Sequence, residues 1–465
     1  MSEINAKYWD ERKEEISGLI GKLWEIPEPP LMEYKSCELL CQWFEQKGFQ
    51  VERRFCGIPT AFRATFAQGE GGPGIGILAE YDGLAGLSNA AEARRNPLPG
   101  QAAGHACLHS HIGGGNSGAA AALKEFLIGE KLSGRIVVVG CPAEELLWGK
   151  IALLDKGGFD GLDIVLTCHV DYQNASVARP TLACATGEFA FGGVSSHAGA
   201  ARNRNALDAV ELAVASIERM RGHQFPGVSV EHVIRHGGVA PNITPDRTSL
   251  WLFVRDKDYR TMRRTYEYVA DIVKTSARIA GVEVVEGFIS CTRGYLSNDT
   301  LGHLLLKHLS ESGVPPYSES DLRSLGELAK NATGTDKVVS NPEIIYLCEG
   351  VDPYTQDDGE VSWRIPLGRV NWEIPLQIPL HNWCTTALAG MPFSRKGALA
   401  CSRAIYLAAA EVLLNPAIAE EAKKELDKRV NGEDLGPVYY APVEDLTQNP
   451  AAFWDGTWLF DKLTR

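Results

Sequence analysis

Three short apolar stretches in the first part of the chain constrain the fold most, because each ends in side chains that can ionise or bind a ligand. Residues 74–79 lead into Glu80, Tyr81 and Asp82, residues 135–140 precede Glu144 and Glu145, and residues 164–167 precede His169. Short apolar runs are typical of buried strands in a parallel sheet. Helical stretches such as residues 118–128 separate them. The sequence therefore predicts an α/β domain with a mixed, largely parallel sheet flanked by helices, and ligands gathered beyond the carboxyl ends of the strands.

The predicted order of strands and helices changes near residue 187. From there to residue 290 the order is strand, helix, strand, strand, helix, strand, which is the split βαβ arrangement of a small α+β domain. At 465 residues, the chain also exceeds the size of about 250 to 300 residues at which one core stops growing. We predict one domain from residues 1–186 and 292–465, with a long final helix near 396–414, and an inserted domain from residues 187–291.

Composition and charge exclude several classes of protein. Hydrophobic residues make up 45% and charged residues 23%, the balance of an ordinary globular protein. No uninterrupted apolar run approaches the roughly 20 residues that span a bilayer, and the N-terminus has no apolar signal region, so we expect a cytoplasmic protein without a membrane partner. A net charge of −13 opposes nucleic-acid binding. The eleven cysteines follow no disulfide spacing, which suits a reducing compartment.

The densest group of candidate ligands is the sequence GHACLHSH at residues 104–111, followed by three glycines. Cys107 and His109 supply a thiolate and an imidazole two residues apart, which are good ligands for Zn²⁺, and imidazole also suits Mn²⁺. The alternative is a glycine-rich turn with incidental polar residues, because Cys and His are often simply buried. The other clusters favour the metal site.

Adjacent carboxylates follow the second apolar stretch. We expect Glu144 and Glu145 to point in different directions, so that one binds a metal ion while the other reaches a water molecule as a general base. A solvated acidic turn is the alternative. His169 and His381 complete a set of N, O and S donors, and Asp82 is placed to fix a ligating imidazole from behind.

The inserted domain carries three further candidates. His197, in the sequence SSHAG, is positioned to hydrogen-bond a developing oxyanion once the domains close. The alternative is a helix N-terminal turn with a capping serine. Asn242 and Arg255 are candidate substrate-binding residues, although Asn242 alone would be read as a turn residue.

In this order, these residues resemble the metal-dependent aminoacylase and carboxypeptidase family of amidohydrolases, in the branch of the p-aminobenzoyl-glutamate hydrolase large subunit and the indole-acetyl-amino-acid hydrolases. The resemblance extends from about residue 16 to residue 414. Its motifs are AEYDGLAGL at 79–87, GHAC at 104–107 with His109, PAEE at 142–145, His169, SHA at 196–198, PN at 241–242, DGEVSW at 358–363 and LHNW at 380–383.

The resemblance implies a zinc-peptidase-like catalytic domain and a ferredoxin-like lid and dimerisation domain. It implies one or two divalent metal ions, Mn²⁺ or Zn²⁺, with these ligands: Cys107, His109, Glu145, His169 and His381. Glu144 would be the general base, and His197 and Asn242 would reach the substrate. A homodimer or higher homo-oligomer would form through residues 187–291.

Two positions depart from the pattern of this branch. The branch carries Gly between the Cys and the His, and Asn or Asp after the His, whereas this chain has Leu108 and Ser110. We expect the bulky Leu108 and the additional His111 to change the pocket floor or the layer of side chains behind the ligands.

The leading hypothesis is a metal-dependent hydrolase that cleaves the amide bond of an N-acyl or N-aroyl amino acid, or of a dipeptide-like small molecule. Metal-activated water would attack the acyl carbon, with Glu144 moving the proton and His197 steadying the oxyanion. The alternatives are hydrolytic deamination of an aromatic amine and a non-catalytic binding subunit.

Overall fold

The computed structural model describes residues 4–199, 204–335 and 337–464. In chain order, its strands are β1 (Gln50–Arg53), β2 (Phe62–Gln68), β3 (Gly74–Glu80), β4 (Leu84–Ala85), β5 (Ala103–Gly104), β6 (Gly134–Cys141), β7 (Ile164–Asp171), β8 (Asn174–Val177), β9 (Ala183–Gly192), β10 (Ser229–Arg235), β11 (Arg247–Asp256), β12 (Glu283–Thr292), β13 (Ile344–Leu347), β14 (Leu367–Glu373) and β15 (Tyr439–Tyr440). Its α-helices are α1 (Lys7–Asp10), α2 (Lys13–Trp24), α3 (Tyr34–Gln46), α4 (His109–Gly129), α5 (Gly149–Asp155), α6 (Ala206–Gln224), α7 (Tyr259–Ala280), α8 (Asp299–Ser312), α9 (Glu319–Thr333), α10 (Asp358–Ser362), α11 (Trp383–Gly390), α12 (Arg395–Leu414), α13 (Ala417–Val430), α14 (Val443–Thr447) and α15 (Pro450–Trp454).

The larger sheet has eight strands within the described residues, in the order β1-β2-β6-β3-β7-β14-β8-β13. The central strands β6, β3, β7 and β14 are parallel to one another, while β2 and β8 pair antiparallel with the outer members of this group. Every residue of β3 and β7 is buried, as expected for central strands covered on both faces. The predicted α/β class with a mixed, largely parallel sheet is confirmed.

Helices α2, α4, α8 and α12 pack together over one face of this sheet and form the main hydrophobic core. Within the described residues, one helical segment, Pro392–Leu414, is long and apolar enough to cross a membrane by length and composition. However, 83% of its most apolar window is buried inside the protein, which is the behaviour of a core helix.

The smaller sheet has the order β10-β11-β9-β12-β15, and all its neighbouring strands are antiparallel. Helices α6 and α7 pack on one of its faces. The chain order β9-α6-β10-β11-α7-β12 is that of a ferredoxin-like α+β unit, so the predicted fold class is confirmed for this part too. Strands β9 to β12 extend from Ala183 to Thr292, and the predicted domain boundaries at 187 and 291 stay a prediction.

The C-terminal tail joins the smaller sheet, which sequence analysis did not predict. Strand β15 pairs with β12, and the following residues cover the sheet face opposite α6 and α7, where Leu459, Phe460 and Leu463 pack against Ala190. Trp458 Nε1 donates a hydrogen bond to the buried Glu188 carboxylate at 2.6 Å. The tail is also anchored to the larger sheet's side of the molecule, because Trp148 Nε1 donates to Ala441 O at 2.9 Å.

Two expectations about helices are corrected. Helix α12 is not the last, since α13, α14 and α15 follow it. Helix α4 starts at His109, well before the predicted stretch. The glycines at 113–115 lower helix propensity and so hide this start in the sequence, but packing requires Gly113 and Gly114. A Cβ at Gly114 would lie 2.6 Å from Ile20 Cγ1, and one at Gly113 would lie 2.4 Å from Glu80 O.

Candidate metal centre and active site

The polar residues singled out in the sequence come together at the carboxyl edge of the central strands. Glu80 ends β3, a 3₁₀ turn over Glu144–Leu146 follows β6, His169 lies near the end of β7, Cys107 and His109 stand at the start of α4, and His381 precedes α11. Because β6, β3 and β7 are parallel neighbours, their ends meet at one edge.

Hydrogen bonds fix which nitrogen of each buried imidazole faces this edge. His109 Nδ1 lies 2.8 Å from Asp82 Oδ1, so the contact predicted for Asp82 is present. His169 Nδ1 lies 2.8 Å from the Val170 carbonyl oxygen. A ring nitrogen that donates to an oxygen acceptor carries the proton, which leaves the Nε2 atoms of both rings as acceptors for a cation.

The Nε2 atoms face carboxylate and thiol groups at short range. His109 Nε2 lies 3.7 Å from Glu144 Oε2 and 3.9 Å from Glu145 Oε1, His381 Nε2 lies 3.6 Å from Glu145 Oε1, and His169 Nε2 lies 3.6 Å from Cys107 Sγ. The donor atoms fall into three overlapping groups, each with all its atoms within 4.8 Å of one another. We call these six residues the donor pocket: Cys107, His109, Glu144, Glu145, His169 and His381.

The two adjacent glutamates converge, which corrects the expectation that they point in different directions. That expectation assumed an extended strand end, whereas Glu144 and Glu145 lie in a 3₁₀ turn. The flanking residues Ala143 and Leu147 adopt left-handed φ values of 55° and 54°. Buried Glu33 supports the turn, because its Oε1 accepts a hydrogen bond from Ala143 N at 2.8 Å.

The two glutamates nevertheless differ in their surroundings. Glu145 Oε1 lies between two imidazoles, those of His109 and His381, and the Glu145 backbone N donates to Asp82 Oδ2 at 3.0 Å. Among the described residues, His109 is the one basic side chain within ion-pair distance of the Glu144 carboxylate. The two imidazoles thus place Glu145 as a ligand, although Oε1 of each glutamate lacks a hydrogen-bond partner among the described residues.

A buried cation lies beside the donor pocket. Lys150 Nζ lies 2.8 Å from Glu80 Oε1 and 2.5 Å from Asp357 Oδ1. Burial opposes the ionised form of Glu80, but the charge of Lys150, followed by the charges of the nearby histidines, lowers the pKa of this carboxyl to about 2. Burial, and then the negative charge of Glu80, raise the pKa of Glu144 well above its usual value.

Cys107 and His109 favour their protonated forms. Burial and the charge of Glu145 raise the pKa of the Cys107 thiol. Burial opposes the charged form of His109, but Asp82, and then Cys107, hold the pKa of this imidazole well above its usual value. A metal ion must therefore displace protons to bind here, since thiolate and neutral imidazole are the ligating forms.

The residues present fit a divalent metal ion. His109 Nε2, Glu144 Oε1 and Glu145 Oε1 are buried and have no hydrogen-bond partner among the described residues. An unpaired buried polar atom costs about 1 to 3 kcal/mol, and more when it is charged. A cation between His109 Nε2 and Glu145 Oε1 would satisfy both atoms, and the mixture of N, O and S donors suits Zn²⁺ or Mn²⁺.

The hydrogen bonds of His111 are made with residues outside the donor pocket, and its place behind the ligands stays a prediction. Its Nε2 lies 2.9 Å from Ser394 Oγ, its Nδ1 lies 3.2 Å from Ser110 Oγ, and its ring stacks on Trp372. The early start of α4 explains these contacts, because residues two apart on a helix face different sides. Leu108 likewise packs in the main hydrophobic core, with a left-handed φ of 55° where glycine would be unstrained.

The predicted residues of the inserted domain are not joined to the donor pocket by any hydrogen bond or ion pair of the described residues. His197 Nδ1 accepts a hydrogen bond from Gly199 N at 3.1 Å, and Asn242 O accepts one from Ala198 N at 3.1 Å. His197 and Asn242 thus belong to neighbouring exposed segments. Arg255 pairs with Glu231 at 3.1 Å and lies over the Phe253 ring, within the smaller sheet. The proposed roles of all three stay predictions.

Sequence analysis missed the side chains that support the pocket. Lys150 is the one charged residue between Glu145 and Asp155, within an otherwise apolar stretch, and a lone lysine there signals a buried ion pair. Asp357 accepts from both the Lys150 backbone N and its side chain. Glu33 follows a run of prolines, and nothing in its local sequence distinguishes it.

Comparisons with known proteins agree with this fold. Residues 183–280 match the model of the peptidase dimerisation domain. The chain is 27% identical to one of the subunits of the p-aminobenzoyl-glutamate hydrolase of Escherichia coli (94% of this chain and 96% of that protein) and 27% identical to the Xaa-Arg dipeptidase of Mus musculus (92% and 93%). Its fold resembles that of a dinuclear metal-binding peptidase of the M20 family from Bacillus subtilis, with a TM-score of 0.57, 15% identity, and coverage of 87% and 99%.

The fold and these matches confirm the resemblance drawn from the sequence to the metal-dependent aminoacylases and carboxypeptidases. The chain is a hydrolase that acts on C–N bonds, and it carries the dimerisation domain found in peptidases of this class.

Proposed function

We propose that this protein cleaves the amide bond of an N-acyl or N-aroyl amino acid, or of a dipeptide-like substrate. The observation that carries the proposal is the convergence of the donor pocket, with Glu144 retaining a free oxygen beside the other donors. The names of the relatives, a p-aminobenzoyl-glutamate hydrolase and an Xaa-Arg dipeptidase, support substrates with an amide-linked amino acid.

In this proposal, the five predicted ligands hold one or two divalent ions, Mn²⁺ or Zn²⁺: Cys107, His109, Glu145, His169 and His381. When bound, such ions lower the pKa of water and polarise a carbonyl group. Asp82 holds His109 through Nδ1 and Glu145 through its backbone N, so one carboxylate orients two ligands.

Glu144 is the general base of the proposal. Its Oε1 is buried and unpaired, so it is free to accept the proton of the attacking water and to return it to the leaving amine. Glu145 is less suited to this task, because its Oε1 already lies between two imidazoles. The side chain of His381 is 52% exposed, which leaves that side of the pocket open for a substrate.

His197 and Asn242 complete the site in the proposal, by contacting the oxyanion and the substrate. Since both lie on exposed segments of the smaller sheet's domain, they reach the pocket through movement of that domain or from a second chain. Arg255 would have to exchange its ion pair with Glu231 to contact a substrate.

A homodimer or higher homo-oligomer through residues 187–291 is the proposed assembly. The match to a peptidase dimerisation domain supports it, as does the edge strand β10, whose Val233 and Ile234 side chains are exposed. The Escherichia coli relative is named as a subunit, so a different partner chain is the alternative. Light scattering on the purified chain distinguishes the two assemblies. A homo-oligomer would have at least twice the mass of one chain, whereas a monomer would indicate a different partner chain.

The test of function is to incubate metal-loaded and chelated protein with a panel of N-acyl amino acids, N-aroyl amino acids, dipeptides and aromatic amines. We expect release of a free amino acid from an amide substrate by the metal-loaded protein alone. Ammonia released from an aromatic amine would instead establish a deaminase. Tight binding without turnover of any compound would establish a non-catalytic binding protein.

A further inference from the structure

Glu80 brings a third carboxylate to the donor pocket, beside those of Glu144 and Glu145. The residue is 2% exposed and ends β3. Its Oε1 is bound by Lys150 Nζ at 2.8 Å, whereas its Oε2 has no hydrogen-bond partner among the described residues and lies 3.6 Å from His109 Nε2. His109 Nε2 is itself buried and unpaired.

Lys150 fixes which oxygen of Glu80 faces the pocket. Its side chain is fully buried, and its ammonium group also pairs with Asp357. Because an ammonium group buried away from water requires such partners, the position of Glu80 is tied to that of α5. The orientation of Glu80 Oε2 toward His109 is thus held by an ion pair, not by loose side-chain packing.

Asp357 shows why the free oxygen of Glu80 matters. Both carboxylates share the same ammonium group, but Asp357 uses both of its oxygens, Oδ1 toward Lys150 Nζ and Oδ2 toward Lys150 N. Asp357 is therefore accounted for as a structural partner. Glu80 uses only Oε1, and an unpaired buried carboxylate oxygen is unfavourable unless a cation or a hydrogen-bond donor meets it.

The position of this oxygen matches the spacing of the proposed ligands. Donor atoms bound at about 2.0 to 2.3 Å from one cation lie about 3 to 4 Å from one another. The distance of 3.6 Å from Glu80 Oε2 to His109 Nε2 falls in this range, as does the 3.9 Å from the proposed ligand Glu145 Oε1 to the same nitrogen.

We propose that Glu80 Oε2 is a further donor to a divalent cation held on the His109 side of the pocket, with Lys150 as its positioning residue. The inference rests on the proposed metal centre and adds a carboxylate that the resemblance does not assign. Because Lys150 already draws charge from Glu80, this oxygen is a weaker donor than an unpaired carboxylate, and it tunes the affinity of the site.

Titration of the metal-free full chain with Mn²⁺ by calorimetry tests the inference. Glu80→Gln keeps the shape and an acceptor oxygen for Lys150 but removes the charge, and we expect it to weaken Mn²⁺ binding about 10-fold. Asp357→Asn is the matched control, because it alters the same ion pair without a pocket-facing oxygen. We expect it to leave the affinity within about twofold. Thermal unfolding of both variants verifies that they fold.

Lys150→Met provides a second readout. If Lys150 acts through Glu80, the double variant Glu80→Gln with Lys150→Met binds Mn²⁺ no more weakly than Glu80→Gln alone, since residues in one interaction are not additive. Wild-type affinity in Glu80→Gln, or equal weakening in Asp357→Asn, would overturn the inference alone. Absence of Mn²⁺ binding by the wild-type chain would overturn the proposed function as well.

Discussion

The donor pocket is assembled within one chain, whereas the segments that carry His197 and Asn242 are not joined to it by any hydrogen bond or ion pair of the described residues. In the donor pocket, parallel strand ends and the segments beside them bring side chains from distant parts of the sequence within hydrogen-bonding or ligating range, and four of the six are buried. In the domain of the smaller sheet, His197 and Asn242 lie on two exposed segments. A hydrogen bond from Ala198 N to Asn242 O joins these segments.

This difference separates two kinds of contribution to catalysis. The pocket is organised before substrate arrives, because buried partners such as Asp82, Glu33 and Lys150 fix its side chains. The exposed segments contribute only after a movement or an association. Substitutions in the donor pocket should therefore lower kcat or metal affinity. Substitutions in the segments of His197 and Asn242 should lower kcat and leave metal affinity unchanged.

The strongest test of the comparison is Glu144→Gln. Loss of the group that moves the proton should lower kcat by about 10²- to 10⁴-fold, while the metal content stays at the wild-type level. Steady-state kinetics and metal analysis of the same preparation measure both. Glu145→Gln is the control and should lose metal. If Glu144→Gln lost metal instead, the roles assigned to the two glutamates would be reversed.

His197→Ala should reduce kcat by about 10²-fold, as expected for loss of one oxyanion donor, with unchanged Mn²⁺ affinity. Mixing this variant with Glu144→Gln, after dissociation and reassociation, distinguishes the two routes to the pocket. Activity returns if His197 enters the pocket of a second copy, because mixed dimers then contain one intact site. Activity stays low if each chain uses its own His197. Unchanged kcat in His197→Ala would remove this residue from the mechanism.

The sequence predicted Glu144, Glu145 and His169 as donors because they stand at strand ends, where composition changes abruptly from apolar to ionisable. It could not predict the convergence of Glu144 and Glu145, which depends on left-handed φ values at Ala143 and Leu147, two residue types that rarely adopt them. It placed the start of α4 too late because the glycine-rich first turns of this helix have low helix propensity. The link between Lys150 and Asp357 depends on a long-range contact that local sequence does not record.

The C-terminal tail was missed for a similar reason. Its short strand β15 has two residues, too few for a periodic pattern, and it joins the smaller sheet through pairing with β12. The aromatic residues that cover the sheet are spaced irregularly in this tail. The class of fold follows from long, regular elements, whereas the packing of short ones depends on the tertiary structure.

Asp82→Asn should weaken metal binding by about 10- to 100-fold, because one carboxylate orients two ligands through separate oxygens and an amide has a single acceptor oxygen. Calorimetric titration with Mn²⁺ measures the effect. Asp358→Asn is a suitable control, since Asp358 is also buried but pairs with Arg369. Equal Mn²⁺ affinity in Asp82→Asn and wild type would show that the pocket does not depend on this support.

The smallest expected effect concerns the stability of the turn that carries Glu144. Burial, and then the charge of Asp82, raise the pKa of Glu33 from 4.5 to about 8. A carboxyl whose pKa is higher in the folded state contributes stability that is fully present below pH 4.5 and is lost as the pH rises toward 8, since the unfolded chain ionises first. This loss amounts to at most about 5 kcal/mol, because one pKa unit corresponds to about 1.4 kcal/mol.

Glu33→Gln should therefore remove this part of the pH dependence and be more stable than the wild type at pH 8, because an amide oxygen can still accept from Leu31 N and Ala143 N. Urea unfolding of the metal-free chain at pH 5 and pH 8 measures the change. Glu52→Gln, on the exposed strand β1, is the control and should follow the wild-type profile. Parallel profiles for Glu33→Gln and wild type would mean that Glu33 is ionised in the folded protein, and that the turn is held by a charged carboxylate.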